Sequence, residues 1–210
     1  MNSKVFAIVL IIALAGISQA QDEHRLTFEA GAGVSPLTGD ISSRLDNGWH
    51  LTFGGGYKFT SYFSTTVDYM YNGFGVSNRV LSEAGVPGGN AHMWSLTVDP
   101  TLHLYRNNRI SPYIAGGVGY YRRTVQFTQP AAVPVTFVDP FFGFAFNTVL
   151  PANQVIGDIT RGGVGGSLGG GFEVKLGDSN VKVFTEARYQ YAATGNIPTR
   201  MVPVTFGVRW

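Results

Sequence analysis

The last ten residues, Met201 to Trp210, read Met-Val-Pro-Val-Thr-Phe-Gly-Val-Arg-Trp, and this stretch limits what the chain can fold into more than any other. Val202, Val204, Phe206, Val208 and Trp210 share one parity, while Met201, Pro203, Thr205, Gly207 and Arg209 share the other. Side chains alternate across a strand, so the segment has a bulky apolar face and a small or polar one. A strand that runs to the final residue needs a neighbour on each edge. In a closed sheet those neighbours are the preceding strand and the first one.

The same alternation recurs upstream in seven more segments. Strand one, about Arg25 to Val34, sets Leu26, Phe28, Ala30 and Val34 against Thr27, Glu29 and two glycines. The second spans about Trp49 to Phe59. The third sets Phe63, Val67, Tyr69 and Tyr71 against Ser64, Thr66, Asp68 and Asn72, and the fourth runs from about Met93 to Tyr105. The fifth lies near Ser111 to Tyr121, the sixth at about Gly163 to Leu176, and the seventh sets Val181, Val183, Ala187, Tyr189 and Tyr191 against Lys182, Glu186 and Arg188. Each has the length of a tilted membrane strand, roughly 9 to 11 residues. Connections near Thr60, Asn107 and Asp178 are short, whereas those near Ser35 to Asn47, Gly75 to Asn90, Arg122 to Arg161 and Ala192 to Arg200 are long. Short turns at one end and long loops at the other are the pattern of an outer-membrane barrel.

Two stretches carry a family likeness. The alternating final strand with its terminal Trp210, and the Pro-Tyr-x-x-x-Gly-x-Gly pattern beginning at Pro112, resemble the small outer-membrane β-barrel family. The resemblance implies an all-β, eight-stranded antiparallel up-and-down transmembrane barrel. It also implies that Val202, Val204, Phe206, Val208 and Trp210 act as a C-terminal insertion signal read by the barrel-insertion machinery.

The amino end fits export. Met1 to Lys4 is short and basic, Val5 to Ile17 is nearly all apolar, and Ser18-Gln19-Ala20 supplies small residues, which together read as a signal peptide at 1–20 cleaved near Ala20. Residues 21–210 then form one barrel domain, with a long extracellular loop at about 122–161 and no further domain expected after the final strand. There are no cysteines, so neither disulfides nor thiol chemistry is available. The formal charge of +2, about +1 without Lys4, offers no basic field for nucleic acid. Charged residues make up only 13% of the chain and aromatics another 13%, a balance suited to a surface that meets lipid.

Parity alone would also fit a soluble barrel with an apolar interior. The charges decide, because Arg25, Lys58, Lys175, Lys182, Arg188 and Arg209, with Glu29, Asp68, Asp99, Glu173 and Glu186, all fall on the small-residue face. Six positives and five negatives suit a paired interior. On the apolar face Trp49, Tyr71, Trp94, Tyr120 and Tyr191 lie toward the long loops, and Phe59, Phe63 and Trp210 toward the short turns, as two interfacial girdles. The charged lumen reads as a salt-bridged plug more readily than as an ion path, since side chains about fill an eight-stranded barrel.

Other chemistry finds little footing. His24, His50, His92 and His103 are scattered singly, with no metal-ligand spacing, and no phosphate-binding glycine loop occurs. The lipid A deacylase family carries His-Tyr-Ser-Asn near the outer end of its penultimate strand. Here the nearest stretch is Gln190-Tyr191-Ala192-Ala193, without nucleophile or base. The 122–161 segment is rich in phenylalanine. Phe137, Phe141, Phe142, Phe144 and Phe146 form either a contact surface or part of a hairpin rising above the membrane. The expectation is a non-enzymatic outer-membrane protein without cofactor or metal, structural in the envelope or presenting loops for interaction. A narrow gated pore and a lipid A-modifying enzyme are the alternatives. The expected partners are outer-membrane lipid and lipopolysaccharide, the insertion machinery during assembly, and an extracellular or envelope protein, but no nucleic acid.

Overall fold

The computed structural model describes residues 25–105, 110–138, 142–177 and 179–210. The signal segment at 1–20 with its cleavage position, His24, the Asn107-Asn108 turn, Pro140, Phe141 and Asp178 lie outside the described residues, as do the side chains of Phe137 and Phe146. The strands are β1 (Leu26–Ser35), β2 (Gly48–Lys58), β3 (Phe63–Gly75), β4 (Gly88–His103), β5 (Ile110–Val138), β6 (Ala145–Lys175), β7 (Lys182–Ala192), β8 (Thr199–Met201) and β9 (Val204–Arg209).

Each strand pairs antiparallel with its neighbour in sequence from β1 to β7, and both β8 and β9 lie against β7. β9 then pairs with β1, which closes a ring of eight strands. The closure runs to the last residue: Trp210 and Phe28 exchange backbone hydrogen bonds of 3.0 and 2.9 Å. The eighth strand is not continuous as expected. Pro203 has no N–H to give to a ladder, so pairing breaks between Met201 and Val204, although the Pro203 carbonyl still accepts from the Arg188 N–H at 3.1 Å.

The segment at about 122–161, expected as a long loop and left open to being a hairpin, is mostly strand: β5 and β6 continue from the barrel up to Val138 and Ala145, with one register shift between Phe127 and Thr128. Its run of Val, Thr and Phe favours extended backbone. Beyond Thr128, β5 has left β4 and has one open edge, where prolines such as Pro130 and Pro134 are tolerated. The hairpin therefore stands about 60 Å of strand beyond Tyr120, at roughly 3.3 Å per residue. Two of the other three long connections at this end hold a short 3-10 turn (Gly39–Ser43) and α1 (Asn78–Ala84), the latter stopped by Gly85 in the left-handed region at φ 66.

The ring sorts its side chains by parity. Leu26, Phe53, Val67, Leu96, Val118 and Phe172 point outward and are exposed, whereas Thr27, Thr52, Thr66, Thr97, Thr101 and Thr205 are buried inside. β6 is glycine-rich because two fully buried tyrosines need the space. A Cβ at Gly171 would sit 2.8 Å from the Tyr113 hydroxyl, and one at Gly165 would sit 2.8 Å from the Tyr121 ring.

Candidate functional site: the charged interior and the projecting hairpin

The interior is a column of hydrogen-bonded layers. Nearest the short turns, Arg209 on β9 reaches Glu29 on β1, with Nε 2.7 Å and Nη2 2.6 Å from Oε2. The same guanidinium pairs with Glu173 on β6 and lies over the rings of Phe184, at 4.9 Å, and Tyr113, at 5.2 Å. Glu173 also pairs with Lys182, and His103 Nε2 lies 3.3 Å from it. This layer is balanced, with two carboxylates against one guanidinium and one ammonium.

The middle layer is not balanced. Arg188 on β7 meets Asp99 at 3.0 Å, Glu186 at 3.0 Å and Asp68 at 3.8 Å, so three carboxylates converge on one guanidinium. Hydroxyls from neighbouring strands complete the layer: Ser167 donates to Asp99 at 3.2 Å, Thr66 donates to Asp68 at 3.1 Å, and Thr97 donates to Asp99. Above it the charges give way to neutral polar groups. The Ser35 hydroxyl lies 2.9 Å from His50 Nδ1 and donates to Asn72 at 2.7 Å, while His50 Nε2 lies 2.9 Å from the Thr205 hydroxyl.

Over these polar layers sits an apolar lid. Leu37, Ile41 and Leu45 from the first long connection pack with Phe74, Val76, Met93, Tyr121 and Met201, and Val80, Leu81, Val125 and Ile197 cover their edges. Arg123, just above the outer aromatic girdle, ties the last connection down by donating to Thr199 at 2.7 Å and to the carbonyls of Thr194 and Ile197 at 3.3 Å each. Burial lowers the pKa of this guanidinium, and the nearby Arg44 charge acts in the same direction. The interior cavity of the barrel below the lid measures about 10 Å³, room for about one water.

Eight of the eleven charged residues named from the sequence meet inside: Glu29, Asp68, Asp99, Glu173, Lys182, Glu186, Arg188 and Arg209. Arg25, Lys58 and Lys175 do not join them, although their parity is right. They stand at the short-turn rim, where Arg25 is exposed and donates to the Tyr57 hydroxyl at 3.2 Å, Lys58 is half-buried and Lys175 is exposed. His103, Tyr113, Phe184 and the His50 layer belong to the interior without standing out in the sequence. Their inward parity is legible there, but the partner each would meet is not.

On the outside, rings form two bands. Trp49 and Tyr71 are 5.9 Å apart, and Trp94 lies 6.5 Å from Tyr69 and 5.8 Å from Tyr120, toward the long connections. Tyr57, Phe59 and Phe63 follow one another at 5.2 and 5.6 Å, with Phe28 and Trp210 6.2 Å apart, toward the short turns. Of the final strand, Phe206, Val208 and Trp210 are exposed on this face, while Val202 and Val204 are half-buried. On the hairpin, Gln154 to Ile159 are exposed on both faces of β6, and Phe142 and Phe144 near the tip are 76% and 73% exposed.

A closed antiparallel ring with a polar, ion-paired interior, an apolar outer band and aromatic girdles is a transmembrane β-barrel. The sequence matches the model of the outer membrane protein beta-barrel domain over residues 6–209, and the chain belongs to that family. It is therefore an integral protein of the Gram-negative outer membrane. Its fold is similar to Neisserial surface protein A (TM-score 0.58, 15% identity, 88% of this chain and 95% of that one). It is also similar to Ail, the attachment invasion locus protein of Yersinia pestis, in complex with the heparin analogue sucrose octasulfate (TM-score 0.51, 15% identity, 89% and 98%). A major outer membrane protein from Thermus thermophilus is a third such structure (TM-score 0.52, 10% identity, 89% and 99%). No curated protein matches the sequence.

Proposed function

We propose that this barrel is a non-enzymatic surface-interaction protein, in which the ring is a membrane anchor and the β5–β6 hairpin is the contact element for an extracellular or envelope protein. One contrast carries the reading: the interior is filled and lidded, while the longest strands of the chain run beyond the membrane band with exposed apolar residues on them. Inside, the cavity beside Arg188 has room for about one water, too little for a transported solute, and the lid packs above it. Outside, Val155, Ile156, Ile159, Phe142 and Phe144 present apolar surface on a hairpin longer than barrel closure needs. Gln190-Tyr191-Ala192-Ala193 at the outer end of β7 offers no hydroxyl beside a base, which argues against a lipid A hydrolase. Outer-membrane lipid and lipopolysaccharide meet the aromatic bands, and the insertion machinery reads the strand ending at Trp210.

The test replaces residues 126–159 with a short Gly-Ser turn, which removes Val155, Ile156 and Ile159 together with Phe142 and Phe144 and spares Val125 and the lid. The variant is expected to insert, to keep its heat-modifiable gel mobility, and to lose adhesion of barrel-displaying cells to host or bacterial surfaces. Adhesion equal to that of the parent would remove the hairpin as the contact element.

A further inference from the structure

The middle layer of the interior carries more negative charge than its partners neutralise. Among the described residues the lumen buries five carboxylates, Glu29, Asp68, Asp99, Glu173 and Glu186, against three permanent cations, Lys182, Arg188 and Arg209. The lower layer is balanced, so the excess of two falls around Arg188, which alone faces Asp68, Asp99 and Glu186. Uncompensated charge in a buried, low-dielectric interior is costly.

Two buried oxygen acceptors in this layer also lack a hydrogen-bond donor. Asp68 Oδ1 and Gln190 Oε1 have none, although the two residues are only 5% and 4% exposed. The Gln190 amide nitrogen is turned to the Met70 sulfur, 3.9 Å away, and the other Asp68 oxygen takes the Thr66 hydroxyl. Both residues line the cavity of about 10 Å³, together with Thr52, Ser95, Thr205 and Glu186. Glu29 and the Arg188 guanidinium also line it, and the hydroxyls of Thr52, Ser95 and Thr205 can turn their lone pairs toward an ion.

We propose that this cavity holds one monovalent cation of about sodium size, taken up when the barrel closes and bound by Asp68, Gln190 and the surrounding hydroxyls. Hard oxygen donors fit such an ion. Among the described residues no three His, Cys, Asp or Glu side chains converge as a metal cluster. Glu186 and Glu29 are paired with Arg188 and Arg209, which leaves Asp68 Oδ1 beside neutral ligands and a guanidinium, a weaker field than a divalent ion calls for. The site is independent of the hairpin and of any partner.

The full-length barrel, refolded in detergent, is unfolded in urea at constant ionic strength while sodium chloride is replaced stepwise by choline chloride, whose cation is too large for the cavity. Binding of one ion to the folded state alone predicts that the folding equilibrium constant rises up to tenfold for each tenfold rise in sodium. Asp68→Asn should abolish that dependence and make the protein more stable than the parent in choline, because it removes one excess charge. Gln190→Leu, which keeps the carboxylate, should weaken sodium affinity at least tenfold, so that the rise in stability begins at correspondingly higher sodium, and serves if Asp68→Asn does not fold. A parent indifferent to the exchange of sodium for choline would overturn the proposal. So would sodium dependence that survives unchanged in either folded variant.

Discussion

Glu29 and Arg209 are 180 residues apart in sequence and directly opposite each other across the seam where the first and last strands meet, with Arg209 Nε 2.7 Å from Glu29 Oε2. The contact exists only when the ring is closed, so this ion pair reports closure. Replacing Arg209 by Met leaves Glu29 unpaired and strips Glu173 of its guanidinium, and should cost about 3 to 5 kcal/mol, the range for breaking a buried pair. Glu29→Gln/Arg209→Met together should cost less than the sum of the two single changes. Urea unfolding of all four proteins in one detergent checks both statements.

The outward parity predicts a depth-dependent cost. Val67 faces Val98 across β3 and β4 on the lipid side, so Val67→Arg should destabilise by roughly 2 to 4 kcal/mol in lipid. Val67→Leu should be within error of the parent. Unfolding titrations in phosphocholine vesicles distinguish the two, and an Arg variant as stable as the parent would place this face away from lipid.

On β6 glycine is needed more strictly at the inward Gly171 than at the outward Gly166. Gly171→Ala pushes a methyl against the Tyr113 hydroxyl and the Thr185 carbonyl, and should cost about 1 to 3 kcal/mol as overpacking. At Gly166, which points outward, the nearest atom to a new Cβ is 3.3 Å away, so Gly166→Ala should be nearly neutral. Thermal melts of the two variants side by side give the comparison.

Parity makes most of this architecture readable in advance. Glu29, Asp68, Glu186 and Arg209 can be placed inside because charge and small residues share a face with them, and the ring can be inferred from a strand that ends on Trp210. Parity says which way a residue points but not how far along the barrel axis it sits. For that reason it assigns Arg25, Lys58 and Lys175 to the interior network, although water is within reach of all three at the rim. It also cannot name partners, so His103 looks solitary until the ring brings Glu173 within 3.3 Å. The hairpin reads as a loop because prolines punctuate it. On strands with one open edge those prolines interrupt little.

The lid makes its own prediction. Arg123 joins the β5 wall to the last connection through three hydrogen bonds, and Ile41 is a buried member of the apolar cluster. Ile41→Asp should place a charge among buried apolar groups and loosen the cluster without touching the strands. Hydrogen exchange should then quicken at Leu37, Leu45 and Ile197 and stay unchanged at Thr97 and Thr205 in the barrel wall.

Planar-bilayer recording of the unmutated protein tests most directly the claim that the interior is a closed structural column and that the protein acts through its exterior. With the charge layers packed and the lid seated, the expected trace is a flat baseline under applied voltage, broken at most by rare brief openings. A large, steady current from the parent protein would contradict it.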